Sequence, residues 1–218
     1  TDQLLSLNTQ QMKALTTDQI ANLTSDQVAS LTTASLAVFS GNQIAQLSTD
    51  ALGAISTEGI ALLSTSQIVG LTTTQMASLS SSAFSTLNTK QIAALETSDF
   101  VVLSVENIGL LTAFQTRGLT TAQVSQLTTD AVAGLSTLAV AALNTVQVAS
   151  LSTTQVASLN SITVSALTTR QIAALETRDV AVLTAENLTI FSDAQIQALS
   201  TAQIAALTTS QLDSLGST

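Results

Sequence analysis

From Leu7 to Ser214 the chain repeats every eight residues without an insertion or deletion, giving 26 full octads. LSTAQIAAL at 199–207 has near-copies in LTTDQIANL from Leu15, LSTTQVASL from Leu151 and LTTRQIAAL from Leu167. Position 1 is Leu except at Phe39, Ile55 and Phe191, and position 2 is Ser, Thr or Asn except at Glu96 and Glu176. Position 3 is usually Thr, position 5 most often Gln, position 6 apolar except at Thr116, and position 7 usually Ala or another small residue. Positions 4 and 8 vary. Whatever local structure one octad adopts its neighbours must adopt too, so the fold is a stack of like units.

Each unit carries a helix-start signal. Ser or Thr followed three residues later by Gln is a capping box, in which the hydroxyl and the side-chain amide satisfy free backbone N–H groups. In 199–207, Ser200 is the expected N-cap and Gln203 the third helical residue; Leu199 and Ile204 have the spacing of a hydrophobic staple. A single long helix is disfavoured. Eight residues advance its face by a net rotation of roughly 80°, so the Leu positions would spiral around the rod. The expected fold is therefore all-α: a superhelical solenoid of very short helices, one per octad. Leu at position 1 and Ile or Val at position 6 point to a common axis, and Ala at position 7 lets backbones approach closely. The alternative is a β-solenoid with two octads per coil. Positions 1 and 6 have opposite parity, so that fold needs a bend in every octad, and the chain has only eight Gly for such corners.

Ten of the nineteen charged residues fall at position 4: Asp18, Asp26, Asp50, Glu58, Lys90, Glu106, Asp130, Arg170, Arg178 and Glu186. Position 4 is thus the expected exposed edge, at the positive end of each helix dipole. A longer period is also present: LNTKQIAALETSDFVVLSVENIGL from Leu87 matches LTTRQIAALETRDVAVLTAENLTI from Leu167, ten octads on. No linker or composition break interrupts the array, so one solenoid domain over 1–218 is expected. LGST at Leu215–Thr218 stops partway into the next octad without the polar cap a solenoid needs, the expected mark of a piece of a longer array that associates end to end or frays.

The composition narrows the chemistry. With fourteen acidic and five basic residues the formal charge is −9, against the basic face a nucleic-acid partner requires. Ser, Thr or Gln interrupts every apolar run, so no membrane insertion is expected. The start, TDQLLSLNTQ, lacks the basic region and apolar core of a signal peptide. Without His, Cys or a glycine-rich phosphate loop, and with only Lys13 and Lys90 to activate a serine, the chain is read as no enzyme, with no catalytic, cofactor or metal residues assigned.

Two departures stand out. In LETSDF and LETRDV, Glu96 and Glu176 replace the capping hydroxyl and Asp99 and Asp179 replace Gln, with Glu106 and Glu186 in the next octads. Three carboxylates so close could hold Ca²⁺, but their spacing fits no known calcium loop, and the preferred reading is alternative caps facing solvent. In LTAFQTRG from Leu111, Phe114 occupies the exposed position, Thr116 the core position and Arg117 the Ala position. This is either an aromatic docking anchor or, as preferred, a register shift that turns Phe114 inward in place of Thr116.

The string LTTxQIxxL, tandem and in register over 7–214, resembles octapeptide arrays in large, repetitive proteobacterial proteins predicted to be secreted or attached to the cell surface. The resemblance implies an extended structural or adhesive segment at the cell surface or outside the cell and carries no site residues. Single units such as LTTDQIAN also look like the first helix of the plant-pathogen DNA-binding effector repeat, whose longer repeat and basic face are missing here. The function expected is a spacer, stalk or surface-fibre module. Its rivals are an ice-binding surface built from the Thr ladder at positions 2 and 3, and a protein-binding scaffold using a patch of Val102, Leu110, Val182 and Ile190.

Overall fold

A computed structural model of the chain describes residues 2–215. Helix follows helix throughout, from α1 (Asp2–Leu5), α2 (Thr9–Lys13) and α3 (Thr17–Ala21) to α27 (Thr209–Leu215), and no strand occurs among the described residues. The fold is all-α, and the β-solenoid alternative falls away.

Most of these helices are one to one and a half turns, and from α2 on each begins at position 3 of its octad, directly after the capping position. At α20 (Thr153–Ala157), Ser152 has extended backbone (φ −73°, ψ 155°). Its Oγ accepts from the Gln155 N–H at 3.2 Å while its own N–H donates to Gln155 Oε1 at 2.7 Å. Asn serves equally: the Asn144 Oδ1 accepts from Val146 and Gln147 N–H groups at 2.9 Å. Helices this short do not persist alone in water, so they are held by what they stack on.

Contacts group the chain into two compact units, Thr1–Asn107 and Ile108–Thr218, each a short-helix solenoid. In both, a helix packs on the third helix before it. In the first unit α5 (Thr33–Ala37) lies on α2 and α6 (Gly41–Ile44) on α3; in the second α18 (Thr137–Ala142) lies on α15 (Ala113–Gly118) and α21 (Ser161–Ser165) on α18. One coil is therefore three octads, and residues three octads apart form columns.

The core of each unit is the position-1 and position-6 side chains. In the first, Ile44, Ile68, Met76, Phe84 and Ile92 are wholly enclosed; in the second, Val124, Val148, Val156, Val164 and Ile172 are. All ten charged position-4 side chains are exposed. Position 7 departs from expectation: Ala21, Ala77, Ala93, Ala141 and Ala173 are exposed, so Ala there serves as a helix former on the surface. The close approach is made instead by Gly41 and Gly70, one coil apart. A Cβ on Gly70 would sit 2.6 Å from the Gly41 carbonyl carbon and oxygen.

Candidate functional site

Ending a helix every eight residues leaves carbonyl groups without partners at each corner. The position-5 Gln meets that demand. Its Oε1 caps its own helix, and its Nε2 points to the coil before and donates to the position-1 carbonyl 28 residues earlier. In the first unit Gln43 reaches Leu15 O at 2.7 Å, Gln75 reaches Leu47 O at 2.8 Å and Gln91 reaches Leu63 O at 2.8 Å. In the second, Gln155 reaches Leu127 O at 2.7 Å, Gln171 reaches Leu143 O at 2.8 Å and Gln203 reaches Leu175 O at 2.8 Å. The other amide hydrogen goes to the position-6 carbonyl: Gln75 to Ile44 at 2.9 Å, Gln155 to Val124 at 2.9 Å and Gln171 to Val140 at 2.7 Å. One buried side chain thus starts its own helix and closes the ends left by the coil before it. Asn is shorter and makes a partial rung: Asn107 reaches only Leu79 O, at 3.3 Å, and Asn187 only Leu159 O, at 3.1 Å.

The capping reading accounts for only half of this role. The sequence held a signal for the rest. Position 5 is Gln in fifteen octads and never Glu, although Glu completes a capping box equally well. Only a second, donating duty explains the bias.

The acidic departures fall on this ladder. Glu96, Glu106, Glu176 and Glu186 face solvent as expected, but the Glu176 side chain makes no cap bond to its helix. Asp99 and Asp179 are not: only 2% and 1% of their surface is accessible, because position 5 faces the interior. Asp99 still caps, its Oδ2 accepting from the Glu96 N–H at 2.9 Å. Burial pushes its carboxyl above the ordinary range; the bond from the Glu96 backbone opposes that shift and the Glu96 charge adds to it. Asp179 Oδ1 accepts from Thr153 Oγ1 at 2.9 Å, while Oδ2 is enclosed with no hydrogen-bond partner. Glu106 accepts from Ser81 Oγ at 3.1 Å and Glu176 pairs with Arg178 at 2.6 Å. Among the described residues no three carboxylates converge on a metal position.

In the octad from Leu111 the register holds. Thr116 is fully buried, its Oγ1 donating to Thr112 O at 3.0 Å, and Phe114 is 73% exposed with the Arg117 guanidinium 5.8 Å from its ring centroid. The preferred inward turn of Phe114 is thus overturned, for a physical reason. Thr is close in size to the Val of neighbouring octads and satisfies its hydroxyl on its own helix, so nothing forces the Phe inward. Phe114 also has company. Leu138 (73% exposed) and Ile162 (64%) hold the same position one and two coils on, forming an apolar column on α15, α18 and α21. Neither was singled out from sequence, because a 24-residue spacing has no meaning until the coil is known to hold three octads. The patch expected from Val102, Leu110, Val182 and Ile190 does not form in the second unit. Leu110 and Val182 share a column there, but Gly134 and Ser158 lie between them.

The clefts are shallow. One of about 230 Å³ is lined by Leu188, Phe191, Asp193, Ile196 and Leu215, and one of about 540 Å³ by Ala141, Leu143, Asn144, Thr145 and residues 168–171. No helix is long and apolar enough to cross a membrane among the described residues.

A capped octad laddered to its third neighbour defines an octapeptide-repeat solenoid. The ALTTAQ repeat matches the chain four times, at residues 1–33, 44–81, 92–129 and 172–209, about two thirds of its length, and the chain belongs to that repeat family. No curated protein matches it in sequence.

Proposed function

We propose that this chain is a non-enzymatic structural module, a spacer, stalk or fibre segment displayed at the cell surface or outside the cell. The supporting observation is the glutamine ladder. Each coil presents the same carbonyl acceptors that it used in the coil before, so length can grow by whole octads while every local environment stays constant. The non-enzymatic part rests on composition: no His or Cys is available, and seven of the fourteen acids stand one to an octad on the exposed position 4. Ice binding draws no support, because the position-2 hydroxyls are engaged as caps, as at Ser64, Thr72, Ser152 and Thr168.

The test is to insert one, two and three octads of sequence LTTAQIAS after Ser158. The spacer reading predicts a longest dimension in solution scattering that rises in equal steps, with constant helicity per residue. Collapse or loss of helicity would refute it. For placement, a membrane-impermeant label should reach the chain in intact producing cells; labelling only after lysis would refute the surface assignment.

A further inference from the structure

The apolar column on the second unit is an anomaly in this fold. Position 4 is where the array carries its charges, yet at three successive coils it carries Phe114, Leu138 and Ile162, all mostly exposed. Their flanks are equally uncharged: Ala113, Thr137, Ala141 and Ser161 surround them, and Arg117 is the one charge on these three helices. The three residues expose on the order of 400 Å² of surface, the size of the largest apolar patch on an ordinary monomer, where it is commonly an interaction site. The next coil continues the column with a charge of opposite sign, Glu186 on α24 (Ala185–Thr189), packed on α21.

We propose that this column is a lateral self-association surface, occupied by a second copy of the same chain packed antiparallel about a two-fold axis midway between Leu138 and Ile162. Two observations select that occupant and orientation. The first is spacing. The side chains project once per coil, at the separation of stacked helices, about 8–10 Å, and a second copy presents the same separation by construction. The second is charge. An antiparallel two-fold sets Leu138 against the partner's Ile162 and places Arg117, folded over Phe114, opposite the partner's Glu186. A parallel pair would instead oppose Arg117 to itself and Glu186 to itself. With its flanks the two-copy contact approaches the roughly 1,000 Å² at which specific interfaces begin, so a reversible dimer is expected. The inference does not rest on the spacer reading, since a lateral dimer is compatible with any role.

Sedimentation velocity of the full chain over a range of concentrations tests it. A monomer–dimer equilibrium is expected. The triple variant Phe114→Ser, Leu138→Ser, Ile162→Thr gives position 4 residues it has elsewhere in the array, so it should keep its helicity and melting temperature and remain monomeric. Arg117→Glu alone and Glu186→Arg alone should each weaken the dimer several-fold, and the two together in one chain should restore it. Because the chain has no Cys, a Leu138→Cys chain mixed with an Ile162→Cys chain should form a mixed disulfide faster than either forms with itself. A monomer at every concentration would overturn the proposal, as would a dimer that survives the triple variant or a charge exchange that fails to rescue. A dimer in which the Leu138→Cys chains couple best to one another would overturn the antiparallel register.

Discussion

Gln155→Glu isolates the donating half of the ladder. The two side chains are the same shape, and the carboxylate can still accept the Ser152 N–H that Gln155 Oε1 accepts at 2.7 Å. What is lost is the amide that donates to Val124 O at 2.9 Å and Leu127 O at 2.7 Å, and in its place an oxygen faces those two carbonyls in a buried site. Two neutral hydrogen bonds contribute about 1 kcal/mol each. A buried charge without a partner brings the total to about 3–5 kcal/mol. Gln19→Glu is the control. Gln19 is exposed and also accepts its cap N–H, from Thr16 at 2.8 Å, but its amide donates to no carbonyl of another coil among the described residues. Its replacement should change stability by less than about 0.5 kcal/mol. Unfolding of a repeat array need not be two-state, so native-state hydrogen exchange over Val124–Leu127 and Ser152–Gln155 is the appropriate assay. At least a hundredfold faster exchange is expected, since about 1.4 kcal/mol is tenfold. The loss should shrink as the pH falls through the raised pKa of the introduced carboxyl, which then regains a donor. Equal effects at residues 19 and 155 would refute the assignment of stability to the rungs.

Other outcomes follow from the same geometry. Asp99→Gln supplies the missing amide and should stabilise the first unit by about 1–2 kcal/mol, read as slower exchange around Thr97–Val102. In the parent chain Asp99 has a raised pKa, so its contribution is full below the ordinary 3.8 and is lost as pH rises through the raised value; Asp99→Asn should flatten that part of the profile. Gly70→Ala forces a methyl onto the Gly41 backbone and should cost about 2–3 kcal/mol, whereas Gly53→Ala meets nothing and should gain about 0.5–1 kcal/mol; thermal melts separate the two signs. Thr116→Val removes a hydroxyl bonded only within its own helix and should be neutral or stabilising by up to about 1 kcal/mol in the same melts.

The octad's local meaning was legible because it is written locally: cap, box and apolar position 6 all lie within six residues, as Ser152, Gln155 and Val156 illustrate. The coil was not legible, since every octad satisfies the same pattern and nothing in LTTxQIxxL distinguishes its third neighbour from its second. That ignorance hid the rung partners of Gln155, and it let Asp99 and Asp179 pass as solvent-facing caps when their position is an interior one. It also hid the Phe114–Leu138–Ile162 column, whose members read singly as unrelated surface exceptions. Position 7 was misplaced for a different reason. Ala suits both close packing and an exposed helix, and the close approach belongs to Gly41 and Gly70.

The most direct test of the three-octad coil is the through-hydrogen-bond scalar coupling from the Gln155 side-chain nitrogen in an isotope-labelled sample. Coupling to the Leu127 carbonyl, with amide protons slow to exchange, is the result this structure requires. Coupling to Leu135 or Leu119, the partners in a coil of two or four octads, would contradict it, as would a Gln155 amide that exchanges freely with solvent.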